Sequence, residues 1–286
     1  MTTDLAAQLG EMDAAWLDEM NKAMQDSGGV QLPFSALNIW AHNGKKAMAP
    51  LKSDSPVSYF GGWHIDQAKF DEMCESGDIT LSPGWKLVEM QGEQDAYTVY
   101  ETRIIHVAPI SYRLSWLSKD GRSRTPKYDD AHSRSHIQYL CLIGAADEGQ
   151  MKYLCPGVIS VKGKGQTEAI KSAFAVWRKA IDANRKEMNA QRLPLFSWWM
   201  TLGTSGDQPE FVSIGSGSQT SPITPIKAVM RVDKPDAAYI SKRFIGAQNF
   251  ATATQLFREA HDWLNAWKES ASNDFTPAAP MEEELY

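Results

Sequence analysis

The sequence predicts an α+β fold built on an antiparallel, barrel-like sheet, and three observations lead there. Short runs rich in β-branched and aromatic residues follow one another from Leu32 to Val161, separated by Gly, Pro and Asn turns. The links between the clearest runs are too short for parallel crossovers, which need a dozen or more residues. Helical periodicity is confined to a few segments instead of alternating with every strand, which separates α+β from doubly wound α/β chains.

Taken in order, residues 4–25 carry Leu5, Leu9, Met12, Trp16, Met20 and Met24 at steps of three or four. This is an amphipathic helix with a packing face, stopped by Gly28-Gly29. Candidate strands follow at Phe34–Ala41, Val57–Trp63 and Trp85–Met90, with a turn at His42-Asn43-Gly44 and a short helix over Ile65–Ser76. Tyr97–Val107 and Ile110–Ser118 are the clearest strands, parted by Pro109, and Lys119–Pro126 forms an exposed basic loop. His136–Ile143 and Tyr153–Val161 are joined through Gly144–Gln150. Thr167–Lys186 reads as a helix on Ile170, Phe174, Trp177 and Ile181, and Pro194 breaks the pattern. Strands resume at Leu195–Leu202, Phe211–Ile214 and Ile223–Val232, and a last helix covers Ala247–Ser270. The organisation expected is an N-terminal amphipathic helix (1–30), a single α+β nucleic-acid-binding domain (31–270) and a disordered acidic tail (271–286). A five-stranded OB-like barrel elaborated with helices and extra strands is one solution that the strand count allows.

Charge locates the binding surface. The 286-residue chain has 29 Lys plus Arg against 35 Asp plus Glu, net −6, which taken whole disfavours nucleic acid. Residues 1–30 hold six acids and one base, and residues 262–286 hold the same, so the remaining body is net positive. Seven bases and three histidines cluster in 101–140, and eight bases against three acids in 160–192. The start has neither a basic region nor an apolar run, and no stretch approaches the roughly 18 apolar residues of a membrane span. Three cysteines without a CxxC point to a reducing interior. A cytoplasmic protein is expected.

Reactive constellations are weak. His132 and His136, with Cys141 and Cys155, lack zinc-knuckle spacing, so no metal and no cofactor is expected. Gly163–Thr167 sits between strand and helix, the setting of a phosphate loop, without the spacing that wraps a triphosphate; Gln166 or a neighbour would cap the helix. There is no GxSxG, and His64 with Asp66 does not build a catalytic pair. Asp129-Asp130 could hold a divalent ion, which keeps a metal-dependent nuclease as an alternative. A protein-interaction module is the other.

The remaining signal is the interleaving of aromatics with cations: Tyr97-Thr-Val-Tyr100-Glu-Thr-Arg103, Tyr112-Arg113-Leu-Ser-Trp116, and the basic loop leading to Tyr128. Every base offers a π-face to an aromatic ring, while Arg and Lys follow the phosphates of a single strand. Arg103, Arg113, Arg122, Arg124, Lys127, Arg134, Lys162 and Lys164 are the phosphate contacts expected; Trp63, Tyr100, Tyr112 and Trp116 are the stacking surfaces. Trp40 and Trp85 are further candidates, and Trp16, Trp177, Trp263 and Trp267 read as helix packing. If Trp198-Trp199 is extended, its rings face opposite ways, so a one-sided sheet buries only one of them.

Pro280-Met281-Glu282-Glu283-Glu284-Leu285-Tyr286 resembles the C-terminal tip of bacterial and phage single-stranded DNA-binding proteins, which join an OB-fold core to a flexible acidic tail ending in a hydrophobic residue. The resemblance covers these seven residues, and the tip ends Leu-Tyr where that family has Pro-Phe. It implies a non-enzymatic protein that binds single-stranded DNA, or RNA, without sequence preference. It also implies that Glu282, Glu283 and Glu284, with Leu285 and Tyr286 as an apolar plug, recruit replication or repair proteins and compete with DNA. A homo-oligomer is compatible with it.

Overall fold

The computed structural model describes residues 32–42, 61–75, 84–91, 96–118, 123–147, 150–188, 193–204, 212–214 and 221–265. The helix expected over 4–25, Arg122 and the tail with Glu282 to Tyr286 lie outside the described residues.

The fold is α+β, with an antiparallel-rich sheet curled into a half-barrel and few helices. In chain order the strands are β1 (Leu37–His42), β2 (Gly62–Asp66), β3 (Lys86–Gln91), β4 (Ala96–Thr102), β5 (Ile104–Leu117), β6 (Arg124–Thr125), β7 (Arg134–Asp147), β8 (Gln150–Lys162), β9 (Met200–Thr204), β10 (Val212–Ile214), β11 (Ser221–Ile223) and β12 (Ile226–Ala228). Ten form one sheet in the order β12-β9-β5-β7-β8-β1-β2-β4-β3, with β6 paired to β5. All of its pairings are antiparallel except one: β1 runs parallel to β8, with Leu37 opposite Gly157 and Trp40 opposite Ser160. That seam joins an arm of β1 to β4 onto the long β5-β7-β8 meander. Among the described residues the order is longer than a five-stranded OB barrel requires.

Helix α1 (Gln67–Glu75) leaves β2 directly, and Asp66 Oδ1 accepts the Lys69 N–H at 3.1 Å. The long α2 (Lys164–Asn184) packs Ile170, Ala173, Phe174, Trp177 and Ile181 onto one face of the sheet, called inner here, against Ile39, Trp63, Ile137, Tyr139, Cys141 and Ile159. A short α3 (Ala237–Ser241) adds Ile240 to that core. Helices α4 (Gly246–Glu259) and α5 (His261–Asn265) cover part of the outer face, placing Ala253, Leu256, Trp263 and Leu264 on Ala108, Ile110, Leu140, Leu142 and Val158. Curling brings distant strands together at one end. The Gly61 N–H donates to Thr224 Oγ1 at 3.0 Å, and Gln166 in α2 donates to the Thr224 carbonyl at 2.6 Å while accepting the Ile226 N–H at 3.2 Å.

Several expectations need correction. Pro109 does not end a strand: β5 runs through it, and a bulge between Pro109 and Ser111 absorbs the missing donor. The break falls at Arg103 instead. Ile223–Val232 is interrupted, with β11 ending at Ile223 and β12 beginning at Ile226. Leu195–Ser197 is a 3-10 turn ahead of β9. Both Trp198 and Trp199 are buried, the first in the inner core and the second in the outer one, because this part of the sheet is covered on both sides. The last helix is split at Ala260. Gln166 does not cap α2, whose N-cap Gly163 sits at φ 84° without a side-chain cap; Gln166 reaches Thr224 and Ile226 instead. No helix among the described residues is long and apolar enough to cross a membrane.

Candidate nucleic-acid interface

On a strand, neighbouring side chains point to opposite faces. That elementary fact divides the expected site in two. Tyr100 stands opposite Ile65, Tyr112 opposite Tyr139, and Trp116 opposite Ser135, whose hydroxyl meets Thr167 of α2 at 3.2 Å. All three rings therefore belong to the inner side. Trp63 is 0% exposed within the inner core and offers no stacking surface. The Tyr100 ring packs 4.8 Å from Phe70 and its hydroxyl donates to Asp71 at 2.9 Å, while Tyr112 lies 5.6 Å from Tyr139. Trp116 is half-buried and meets the Tyr128 ring edge-on at 5.1 Å. Tyr128, 59% exposed, is the open ring of that loop.

The cations take the other face. Strand register lines them up in three successive rungs on the outer side. The first carries Arg124 of β6, Leu117 of β5 and Arg134 of β7. The second carries Ser115, His136 and Lys162. The third runs across seven strands: Arg113, Gln138, Ser160, Trp40, His64, Glu101 and Lys86. Hydrogen bonds tie the rungs together. Arg113 Nε donates to Gln138 Oε1 at 2.9 Å, Arg124 donates to the same oxygen at 3.3 Å, and Gln138 Nε2 donates to Ser160 Oγ at 3.2 Å. At the far end His42 Nε2 and Glu101 Oε1 are 2.9 Å apart.

Arg113 has a structural role. It is buried, its guanidinium lies 3.8 Å from the Trp263 ring centroid, and it donates to the Trp263 carbonyl at 3.3 Å. Burial, with Arg124 nearby, pulls it down to about 9. Burial also lowers Arg124 and Lys162, the latter helped by Arg124 and Arg134. Lys162 is exposed as a residue, but its ammonium rests 4.2 Å from the Trp40 ring centroid. His136 is 0% exposed, stacks on Trp40 at 5.5 Å with 10° between planes, and its Nε2 has no hydrogen-bond partner. Burial first, then Arg124, Lys162 and Arg113, lower it to about 2, so the ring is neutral. Trp40, one of the further candidates, thus shares a face with the cations, as Trp263 does over Arg113; the neighbours of Trp40 here lie some hundred residues along the chain.

The other expected contacts are exposed at separate places: Arg103 at the β4–β5 break, Lys127 in the loop after β6, Lys164 at the start of α2. Arg134, also exposed, stands on the first rung.

Around β6, three side chains on either side of the strand come together. Ser123 Oγ lies 2.8 Å from His132 Nε2, and His132 Nδ1 lies 2.9 Å from Asp129 Oδ1. Hydroxyl, imidazole and carboxylate follow in the order of a nucleophilic triad. However, the serine is exposed, and its own N–H, the nearest oxyanion donor, already donates to Ser118 Oγ at 3.0 Å. Asp129 Oδ1 also accepts the His132 N–H at 2.6 Å, as in a turn-closing side chain. Among the described residues no group of three or more His, Cys, Asp and Glu is placed to hold a metal ion. Set against protein-family models, curated proteins and solved structures, the chain matches none.

Proposed function

We propose that the protein binds single-stranded DNA, or RNA, without sequence preference, on the outer face of its curled sheet. One observation carries the reading. Arg124, Arg134 and Lys162 converge from three strands, and among the described residues no carboxylate pairs with any of them. Burial strips water from Arg124 and Lys162, Arg134 beside them is exposed, and cations gathered without counter-charge favour an anion, which a polyphosphate strand supplies while releasing its own counterions. Trp40 supplies a ring beside Lys162. In this reading the curled sheet serves as an OB-like platform, the protein is cytoplasmic and non-enzymatic, and the tail with Glu282 to Tyr286 recruits replication or repair proteins.

Fluorescence titration with an oligothymidine tests it. Tryptophan emission should change on binding, with affinity falling steeply as salt rises. Arg124→Gln should weaken binding across all sequences and flatten the salt slope by about one. Labelled DNA should stay intact with Mg²⁺ or Mn²⁺. Unchanged emission together with no retention at low salt overturns the proposal.

A further inference from the structure

The outer-face cations are not spread evenly along a groove, as generic strand binding would require. They gather on two adjacent rungs around a buried ring, Arg124 and Arg134 on the first and Lys162 directly opposite His136 on the second. Arg124 and Lys162 each lie within electrostatic reach of His136, and Lys162 feels Arg124 and Arg134. His136 is fully buried, yet its Nε2 meets nothing. A buried polar atom without a partner costs stability unless some ligand pairs with it.

The other ring nitrogen leaves the tautomer free. Nδ1 lies 3.5 Å from Ser115 Oγ, whose hydroxyl also reaches the His136 carbonyl at 3.3 Å. Ser115 has one hydroxyl proton, so an anion that selects the Nε2–H form turns that proton from the His136 carbonyl to Nδ1. Gln138 does not take the role: its amide oxygen accepts from two arginines, one of its N–H groups donates to Ser160, and His136 Nε2 has no partner.

The geometry points to a discrete oxyanion subsite in which Arg124, Lys162 and the Nε2–H of His136 take one phosphate group, with Trp40 as its aromatic wall. Two ionic donors and one neutral donor suit a tetrahedral oxyanion, since each can take a separate oxygen. His136 has no exposed surface, so an anion arriving from the side where Lys162 and Arg134 are exposed parts the side chains there to reach Nε2. Inorganic phosphate and the backbone of a strand share this chemistry. The inference rests on the strand-binding reading for the phosphate's biological source, and the two can fail separately.

The test uses the full chain in two measurements. In the first, inorganic phosphate is titrated against sodium chloride at matched ionic strength while the imidazole nitrogens of His136 are followed by NMR. A shift at Nε2 that saturates with phosphate and not with chloride supports the subsite; a shift absent from His136 overturns it. This needs no variant and so cannot be lost to misfolding. In the second, the melting temperature should rise with phosphate for the wild type and for Lys179→Gln, an exposed lysine of α2 on the inner side of the sheet, and should not rise for Lys162→Gln. Loss of one such charge-assisted contact should weaken oligothymidine binding by about tenfold, against less than about threefold for Lys179→Gln. If an oligonucleotide binds while phosphate neither shifts His136 nor competes, the subsite is wrong and strand binding stands. If phosphate does both and no oligonucleotide binds, the subsite stands and strand binding falls.

Discussion

Lowering the pH from 7.5 to 5 should destabilise this protein through three histidine rings well before its carboxylates begin to titrate. His64 and His106 are each pulled down to about 4 and His136 to about 2, in every case by burial first. His42 adds to burial at His64, Arg243 and Arg231 at His106, and the outer-face cations at His136. The sign follows from proton counting. The unfolded chain takes a proton at each ring near 6.5 and the folded chain refuses it, so stability is complete above that value and drains as pH falls toward the folded values. At pH 5 each ring costs about 2 kcal/mol, and three independent rings set a ceiling near 6 kcal/mol. A typical domain has only about 5–15 kcal/mol in total. Urea unfolding at half-unit steps of pH measures the loss directly. His106→Gln, whose partner Thr201 Oγ1 stands 2.9 Å from Nδ1, should remove roughly a third of the slope. A urea midpoint that stays flat or rises between pH 7.5 and 5 refutes the reasoning.

Two other substitutions probe the inner side of the sheet. Tyr139 is fully buried and its hydroxyl has no partner, so Tyr139→Phe should be neutral or stabilising by about 1 kcal/mol in chemical denaturation. A loss of stability would mean that the hydroxyl is paired in solution. Gln166→Leu removes the buried side-chain hydrogen bonds to the Thr224 carbonyl and from the Ile226 N–H and should cost about 2–4 kcal/mol. Hydrogen exchange at Ile226 should accelerate in the same variant, and unchanged exchange would separate this amide from the closure of the sheet.

What was legible in the sequence was local. Helix α2 announced itself through Ile170, Phe174, Trp177 and Ile181, because three- and four-residue spacing is a property of a single element. The long strands were visible as β-rich runs, although Pro109 misled, since a bulge that accommodates proline depends on the partner strand. The site was mostly hidden. Tyr112 and Arg113 are adjacent in sequence and looked like one surface; on a strand adjacency guarantees the reverse, and they face different cores. The rungs join Trp40, His136 and Lys162 through register, which depends on pairings that no window of a single chain contains. The tryptophan pair 198–199 shows the same limit, because whether a sheet is covered on one side or two is decided by elements elsewhere in the chain.

The seam between β1 and β8 has a further consequence, for how the molecule is made. Its partners, such as Leu37 and Gly157, are some 120 residues apart. On the ribosome β1 can pair with β2 early, but its other edge waits until β8 emerges. Closing so long a loop adds little to the equilibrium cost, because that cost grows only with the logarithm of length; the delay is kinetic. Through that interval Leu37 and Ile39 lie on an open strand edge able to pair with another nascent chain. The hazard to this fold therefore lies in the half-synthesised polypeptide, and a pause in translation before residue 157 should be the most damaging place to stop. Joining the seam ends the exposure and, in the same event, lays Trp40 against Lys162 and His136.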